Sequence, residues 1–318
     1  MSMTREEMLE KKIGVLYGGL NSERSVSLET GEVIYQALLK KGYNAVLIDQ
    51  GRDLPQRLIE EKIEVVFNAL HGKWGEDGAV QGTLEVMGIP YTSTSILGSA
   101  LAMDKYQAKI AFQAAGLPIA PFTMVSKDVC GKFNPSSLGF DLPAVVKPNS
   151  EGSSSGISIV KKAEEFQQAL QKVFKLDSYA LVEKYIVGKE IQVTVLNGKG
   201  LGAIWVKPAR EFYDFEAKYK TDDTEYIYPA PLEEMLYNEC IRVAEQANKV
   251  IRGKGATRVD LIVNDNGEII ILELNTLPGM TSHSLVPKTA LAEGIVFEDL
   301  VEQILFDASL ELFEPEGD

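Results

Sequence analysis

The sequence predicts an α/β protein with an N-terminal parallel sheet and, after it, units of mixed α+β character. Three observations predict this. Short apolar runs at Ile13–Tyr17, Ala45–Ile48 and Val65–Leu70 alternate with helical periodicity such as Val33, Ile34, Ala37 and Leu38, the pattern of strands joined by crossover helices. Strand-like runs Pro143–Lys147, Ile157–Val160 and Tyr179–Glu183 surround a Gly/Ser loop and an amphipathic segment from Glu164 to Phe174. Two Asn-Gly pairs, Asn197-Gly198 and Asn266-Gly267, lie between apolar strands, a hairpin signal because both residues tolerate positive φ.

Taken in order, the first unit spans residues 1–93 and ends near Ser93. A helical pattern from Asp104 to Ala115 is stopped by Gly116 and Pro118. It belongs to a small central unit, 94–187, and the last unit covers 188–318 with both hairpins. Between Lys207 and Pro229 the chain is polar, rich in aromatics and without periodicity; a loop of that length is expected to act as a lid.

The chain has 318 residues, enough for two or three packed units, and is 45% hydrophobic, enough for real cores. Its 46 acidic and 32 basic side chains leave a formal charge of -14, the wrong sign for wrapping nucleic acid. No segment approaches the roughly 20 apolar residues of a membrane span, and the charged N-terminal stretch lacks an apolar run, so no membrane association and a cytoplasmic location are expected. Cys130 and Cys240 are far apart and read as packing residues. An anionic ligand on so acidic a chain requires lysines and arginines that reverse the potential locally.

One hairpin suggests a metal site. If Asn266-Gly267 is a two-residue turn, the ladder counted back from it sets Asp260 directly opposite Glu273. Alternation then puts Arg258, Asp260 and Ile262 on one face with Ile271, Glu273 and Asn275. Opposed carboxylates repel unless a cation or proton lies between them, and all-oxygen donors favour magnesium or manganese. The same pair can also be a solvated edge. The polar TLPGMTSHS segment that follows argues for a site.

The Gly/Ser loop Glu151–Gly156 can offer backbone NH groups to phosphate, although it is not a P-loop and such loops are often plain turns. Lys147 precedes it, with Pro148 expected to take the chain out of the ladder. Glu183 and Glu190 can accept hydrogen bonds from a ribose or an adenine amino group; Lys105, Lys218 and Arg258 complete the positive inventory. Each of these is, alone, an ordinary surface charge.

Together, LYGGLNSERSVS, NALHGKWGEDG, MDK, VKPNSEGSSSG, VEKYI, FYDFEAKY, RVD and LELNTLPGMTSHSLVP closely resemble the D-alanine:D-alanine ligases of the ATP-grasp superfamily, from Ile13 to about Leu305. The resemblance implies a three-domain ATP-grasp fold with an N-terminal Rossmann-like parallel sheet. It implies ATP binding by Lys105, Lys147, Ser154, Glu183, Glu190 and Lys218, with Ser153 also on phosphate, and two divalent ions, magnesium or manganese, on Asp260, Glu273 and Asn275. Glu23 would meet the ammonium of the first D-alanine and, with Ser153 and Tyr219, link it to the lid. His71 would lie beside that substrate, and Ser284 would hold the carboxylate of the second. Arg258 and the Gly279 NH would stabilise the carbonyl oxygen. A homodimer formed through the N-terminal unit is likewise implied.

The activity implied is ligation of two D-alanines through an acyl phosphate, for peptidoglycan precursors. Many relatives have tyrosine where this lid carries Phe215, which removes a hydroxyl, whereas Tyr219, which separates dipeptide ligases from D-alanine:D-lactate ligases, is retained. Other readings are a ligase with a different second substrate and a nucleotide sensor that has lost catalysis. A dehydrogenase is disfavoured because GVLYGGLNSERS lacks the G-x-G-x-x-G spacing.

Overall fold

The computed structural model describes residues 3–152, 155–207 and 224–311. Three sheets follow one another along the chain. The first is parallel, in the order β2-β1-β3, from β1 (Lys12–Tyr17), β2 (Asn44–Asp49) and β3 (Val65–Asn68). Helices α1 (Arg5–Leu9), α2 (Arg24–Lys40), α3 (Leu54–Glu60) and α4 (Ala79–Met87) accompany it. The buried face of α2 carries Ile34, Ala37 and Leu38, as its periodicity predicts.

Two helices, α5 (Ile96–Met103) and α6 (Lys105–Ala114), lead to a four-stranded antiparallel sheet ordered β4-β7-β5-β6. Its strands are β4 (Phe122–Ser126), β5 (Ala144–Pro148), β6 (Ser158–Val160) and β7 (Tyr179–Lys184). Asp104 caps α6, its side chain accepting from the Gln107 NH. Helix α7 (Phe166–Val173) buries Phe166, Ala169, Leu170 and Val173, a one-face pattern that closes this sheet's core.

The five-stranded sheet is antiparallel in the order β10-β9-β8-β11-β12. It contains β8 (Lys189–Leu196), β9 (Lys199–Lys207), β10 (Glu225–Ile227), β11 (Ala256–Val263) and β12 (Ile269–Asn275). Helix α8 (Glu234–Ile251) packs on it, and α5 and α6 join the same core through Ala102, Ala108 and Phe112. The final helices, α9 (Leu285–Ala292) and α10 (Phe297–Leu305), return to the first sheet, where Val286, Leu300 and Leu305 share a core with Ile13, Val15 and Ile34. Among the described residues no helix is long and apolar enough to cross a membrane.

Three local expectations are corrected. Pro148 stays in β5 opposite Ala180. Asn149 donates to Tyr179 on the β7 side, so the Pro148 nitrogen faces the β6 side, beyond the last β6 pairing at Val146, and no ladder bond is lost. Within the expected lid, β10 pairs with β9; its three residues are held by that ladder and carry too little alternation to reveal it. Residues 208–223 of the lid, including Phe215, lie outside the described residues.

The third correction concerns the hairpin. Asn197 and Gly198 do form a two-residue turn, with φ of 49° and 79°. The Asn266-Gly267 bend instead has three loop residues, Asp265 to Gly267, closed by the Asn264 NH donating to the Glu268 carbonyl at 3.1 Å. The Asn264 side chain accepts from the Asn266 and Glu268 NH groups, and Gly267 alone takes positive φ, 78°. The ladder near the turn is therefore offset from the expectation, pairing Leu261 with Ile271 and Ile262 with Ile270. A β-bulge then shifts the register by one residue, so Asp260 still faces Glu273 and Arg258 still faces Asn275. Ile271 consequently lies in the core rather than beside Glu273, and Leu272 turns to the opposite side.

Because Gly267 supplies the left-handed residue of this turn, Gly267→Ala is expected to destabilise the protein by about 1 kcal/mol although a methyl group there meets no close neighbour. Urea unfolding of the two proteins measures the difference.

Candidate active site

A cleft of about 440 Å³ opens between the four-stranded and five-stranded sheets, and Lys105, Lys147, Glu183, Glu190, Asp260 and Glu273 all line it. Six residues chosen from sequence thus converge from β5, β7, β8, β11, β12 and the start of α6.

At its deep end Glu183 is buried between two ammonium groups. Lys147 Nζ lies 2.5 Å from one carboxylate oxygen and Lys109 Nζ 2.8 Å from the other. Burial disfavours the Glu183 anion, but the two lysines outweigh it and hold its pKa down at about 2. Burial likewise opposes the Lys147 charge, yet Glu183 and Glu273 hold it above the ordinary lysine value; burial pushes Lys109 down. Lys109 was not selected from sequence. It lies one helical turn after Lys105 in MDKYQAK, and its helical phase with the buried Ala108 and Phe112 is the signal that marks it as an inward-facing lysine.

The hairpin supplies the acidic wall. Arg258 grips Asp260 with two hydrogen bonds, Nε to Oδ1 at 2.7 Å and Nη2 to Oδ2 at 2.9 Å, and Asn275 Nδ2 donates to Asp260 Oδ2 at 3.3 Å. Glu273 lies 3.6 Å from Lys105 Nζ, which also donates to the Glu151 carbonyl at 2.8 Å. Among the described residues no three His, Cys, Asp or Glu side chains form a cluster able to hold a metal ion. The candidate set is two opposed carboxylates and an amide oxygen. It fits a hard divalent ion in donor chemistry, with Asp260 and Glu273 lining this cleft and Asn275 lining a small cavity beside Glu273, provided Asp260 turns an oxygen away from Arg258.

A second cavity, about 290 Å³, lies toward the first sheet and is lined by Glu23, Gly72, Lys73, Trp74 and Gly152. Glu23 stands at the N-cap of α2. The chain closes tightly around it: a methyl group on Gly72 would stand 2.4 Å from Glu23 Oε2, and one on Gly152 3.2 Å from both oxygens. Lys73 Nζ meets Glu151 Oε1 at 2.6 Å, joining the loop after β3 to the Gly/Ser loop. His71 is buried, its ring nitrogens 3.1 Å from Thr30 Oγ1 and 3.1 Å from the Leu277 carbonyl, and burial lowers its pKa, favouring the neutral ring.

Glu76, also unselected although it stands in the HGKWGEDG string, shares a small cavity with Lys105, Glu273 and Asn275. Burial, reinforced by the charge of Glu23, pushes its carboxyl up to about 8. Ser284 sits at the N-cap of α9, but its hydroxyl bonds back to Thr281 instead of capping the helix. A methyl group on Gly279 would stand 2.7 Å from Ser284 Oγ, so these two selected residues are neighbours. Ser153, Ser154, Lys218 and Tyr219 lie outside the described residues.

Comparison with known proteins bears on this cleft. The family model described as D-ala D-ala ligase C-terminus matches residues 111–306, and that described as D-ala D-ala ligase N-terminus matches 50–94. A D-alanine–D-alanine ligase of Geotalea uraniireducens is 52% identical over 310 residues, covering 98% of this chain and 99% of that protein. That of Geobacter sulfurreducens is 50% identical over 311 residues, covering 98% of each. The crystal structure of the Bacillus anthracis D-alanine–D-alanine ligase complexed with ATP superposes with a TM-score of 0.82 at 35% identity, covering 93% of this chain and 97% of that one.

The depressed Glu183 pKa has a consequence for acid stability. Below its ordinary value of 4.5 the unfolded chain binds a proton that the folded chain refuses until about pH 2, so the stabilisation is present above pH 4.5 and is lost as pH falls through that window. Relative to Glu183→Gln, the wild-type advantage in denaturant unfolding should therefore be largest at neutral pH and shrink steadily on acidification below 4.5.

Proposed function

The chain belongs to the D-alanine–D-alanine ligase family, and from that premise we propose how its own residues carry the reaction. It is an ATP-using, ADP-forming ligase that makes a carbon–nitrogen bond, joining two D-alanine molecules into the dipeptide used for peptidoglycan precursors. The observation that supports the residue assignment is the convergence of Lys105, Lys147, Glu183 and Glu190 with the opposed Asp260 and Glu273 in one cleft.

A carboxylate is a poor electrophile. In the proposed sequence the first D-alanine attacks the γ-phosphorus of ATP through a carboxylate oxygen, releasing ADP and leaving an acyl phosphate. The second D-alanine's amine then attacks the acyl carbon, and the tetrahedral intermediate collapses with loss of phosphate. Lys105 and Lys147 bind the nucleotide phosphates, and Glu183 and Glu190 accept from the adenine amino group and the ribose. Asp260, Glu273 and Asn275 would hold magnesium or manganese, which neutralises phosphate charge when bound.

Glu23 receives the ammonium of the first D-alanine, with the neutral ring of His71 beside it, and Ser284 binds the carboxylate of the second. Arg258 and the Gly279 NH face the carbonyl oxygen as charge develops there, a type of interaction worth about 3 to 4 kcal/mol per donor. Two of the three Arg258 nitrogens are already fixed on Asp260, which sets the plane of its head group in advance. An acyl phosphate hydrolyses in water, so we assign the 207–229 segment to a lid, with Lys218 reaching phosphate, Ser153 and Ser154 meeting phosphate from the Gly/Ser loop, and Tyr219 linking the lid to Ser153 and Glu23. On the family resemblance alone we also propose units 1–93, 94–187 and 188–318 and a cytoplasmic homodimer.

ADP release measured with D-alanine, L-alanine and D-lactate, singly and in pairs, tests the reading: turnover should require D-alanine at both positions, and equally fast release with D-lactate as second substrate would show a different ligase. Glu273→Gln is expected to keep the fold and to lose the magnesium dependence together with at least about a hundredfold in kcat, from one lost charge in the phosphoryl-transfer site. Unchanged turnover in that variant would remove the metal assignment. Sedimentation velocity distinguishes the homodimer from a monomer.

A further inference from the structure

We propose that Lys109 is a positioning residue for the nucleotide site, its buried ammonium compensating Glu183 so that Lys147 can leave that carboxylate for an arriving phosphate. The proposal rests on the assignment of Lys147 to nucleotide phosphate. Lys147 and Glu183 line the cleft; Lys109 does not, so it acts on a ligand only through Glu183. Lys109 is 1% exposed and Glu183 3%.

The charge arithmetic of this pocket gives the reason. With a single lysine, a phosphate that drew the ammonium away would strand a buried carboxylate, and an uncompensated buried charge is strongly unfavourable. Lys147 would then be captive. With a second ammonium on the other carboxylate oxygen, Glu183 keeps a partner whichever way Lys147 turns, and the three-residue cluster carries one net positive charge, which suits an anion.

Lys109 is also anchored by groups that do not depend on a ligand. It rides on α6, its Nζ lies 3.4 Å from the Ile271 carbonyl, and it sits 6.0 Å from the centre of the Phe122 ring. The same contacts admit a rival role, a plain tie between β7 and β12. The two roles differ in what they do to nucleotide affinity.

The test measures ADP affinity by calorimetry, and the separate KM values for ATP and D-alanine, in Lys109→Met, Lys109→Arg, Lys147→Met and the double variant Lys109→Met/Glu183→Gln. Lys109→Met should weaken ADP binding and raise the ATP KM by about tenfold or more, the loss expected for a charge-assisted contact, with little change in the D-alanine KM. Lys109→Arg should restore most of that affinity. The double variant, in which the glutamine carbonyl can still accept from the nucleotide but no carboxylate holds Lys147, should bind ADP more tightly than Lys109→Met; if the single variant does not fold, the double variant should still bind within about tenfold of wild type.

ADP affinity unchanged in Lys109→Met overturns the proposal, as does a loss that neither Lys109→Arg nor the double variant recovers. If Lys147→Met binds ADP as wild type does, the nucleotide assignment itself falls. If Lys147→Met is impaired and Lys109→Met is not, only the role of Lys109 falls.

Discussion

Glu183, buried with one carboxylate oxygen on each of two lysines, is the interaction around which the cleft is arranged. A carboxylate at this depth requires a cation, and each cation at this depth is stabilised by the carboxylate, so the three side chains support one another. They come from three places: β7 carries Glu183, the neighbouring β5 carries Lys147, and Lys109 reaches in from α6. Helix α6 shares its core with the five-stranded sheet, so the ion cluster joins the two layers between which the cleft opens. One turn earlier the same helix begins with Lys105, which meets Glu273 on the opposite wall.

That opposite wall depends on register. The carboxylates of Asp260 and Glu273 face each other only because a three-residue turn and a β-bulge offset one another. Without the bulge the ladder near the turn would carry Glu273 one position past Asp260, and side-chain alternation would point it to the wrong face. Arg258, two residues from Asp260 on the same face, holds that carboxylate in place with two hydrogen bonds. On a chain of formal charge -14, Lys105, Lys109, Lys147 and Arg258 offset the carboxylates of Glu183, Asp260 and Glu273 around the cleft.

The cavity around Glu23 is shaped by close approach as well. Gly72 and Gly152, from loops far apart in sequence, both press on the Glu23 carboxylate, and any side chain at Gly72 would displace it. The helices that follow the β11–β12 hairpin return to the first sheet and complete its core, and the loop between them and β12 is tied to the end of β3. His71 illustrates this directly, bonding α2 through Thr30 and the 277 loop through a carbonyl.

What could be read from the residues alone was local. Apolar runs and hairpin signals located the strands other than β4 and β10, helical periodicity located α2, α6 and α7, and motif order located the family, because each depends on a few neighbouring side chains. The sequence by itself therefore determined the types of the elements it located, the acid pair of the hairpin and most of the cleft's charged residues. Only the tertiary structure decided that Lys109 meets Glu183 from behind the cleft, that Glu76 lines a small cavity beside Glu273, that Ile271 belongs to the core, and that the turn at Gly267 has three residues. Those facts depend on what lies opposite: a lysine becomes a buried counter-ion only when a distant strand supplies its carboxylate, and a turn's length is settled by the ladder it must close. Neither partner is a sequence neighbour, so no local pattern records them.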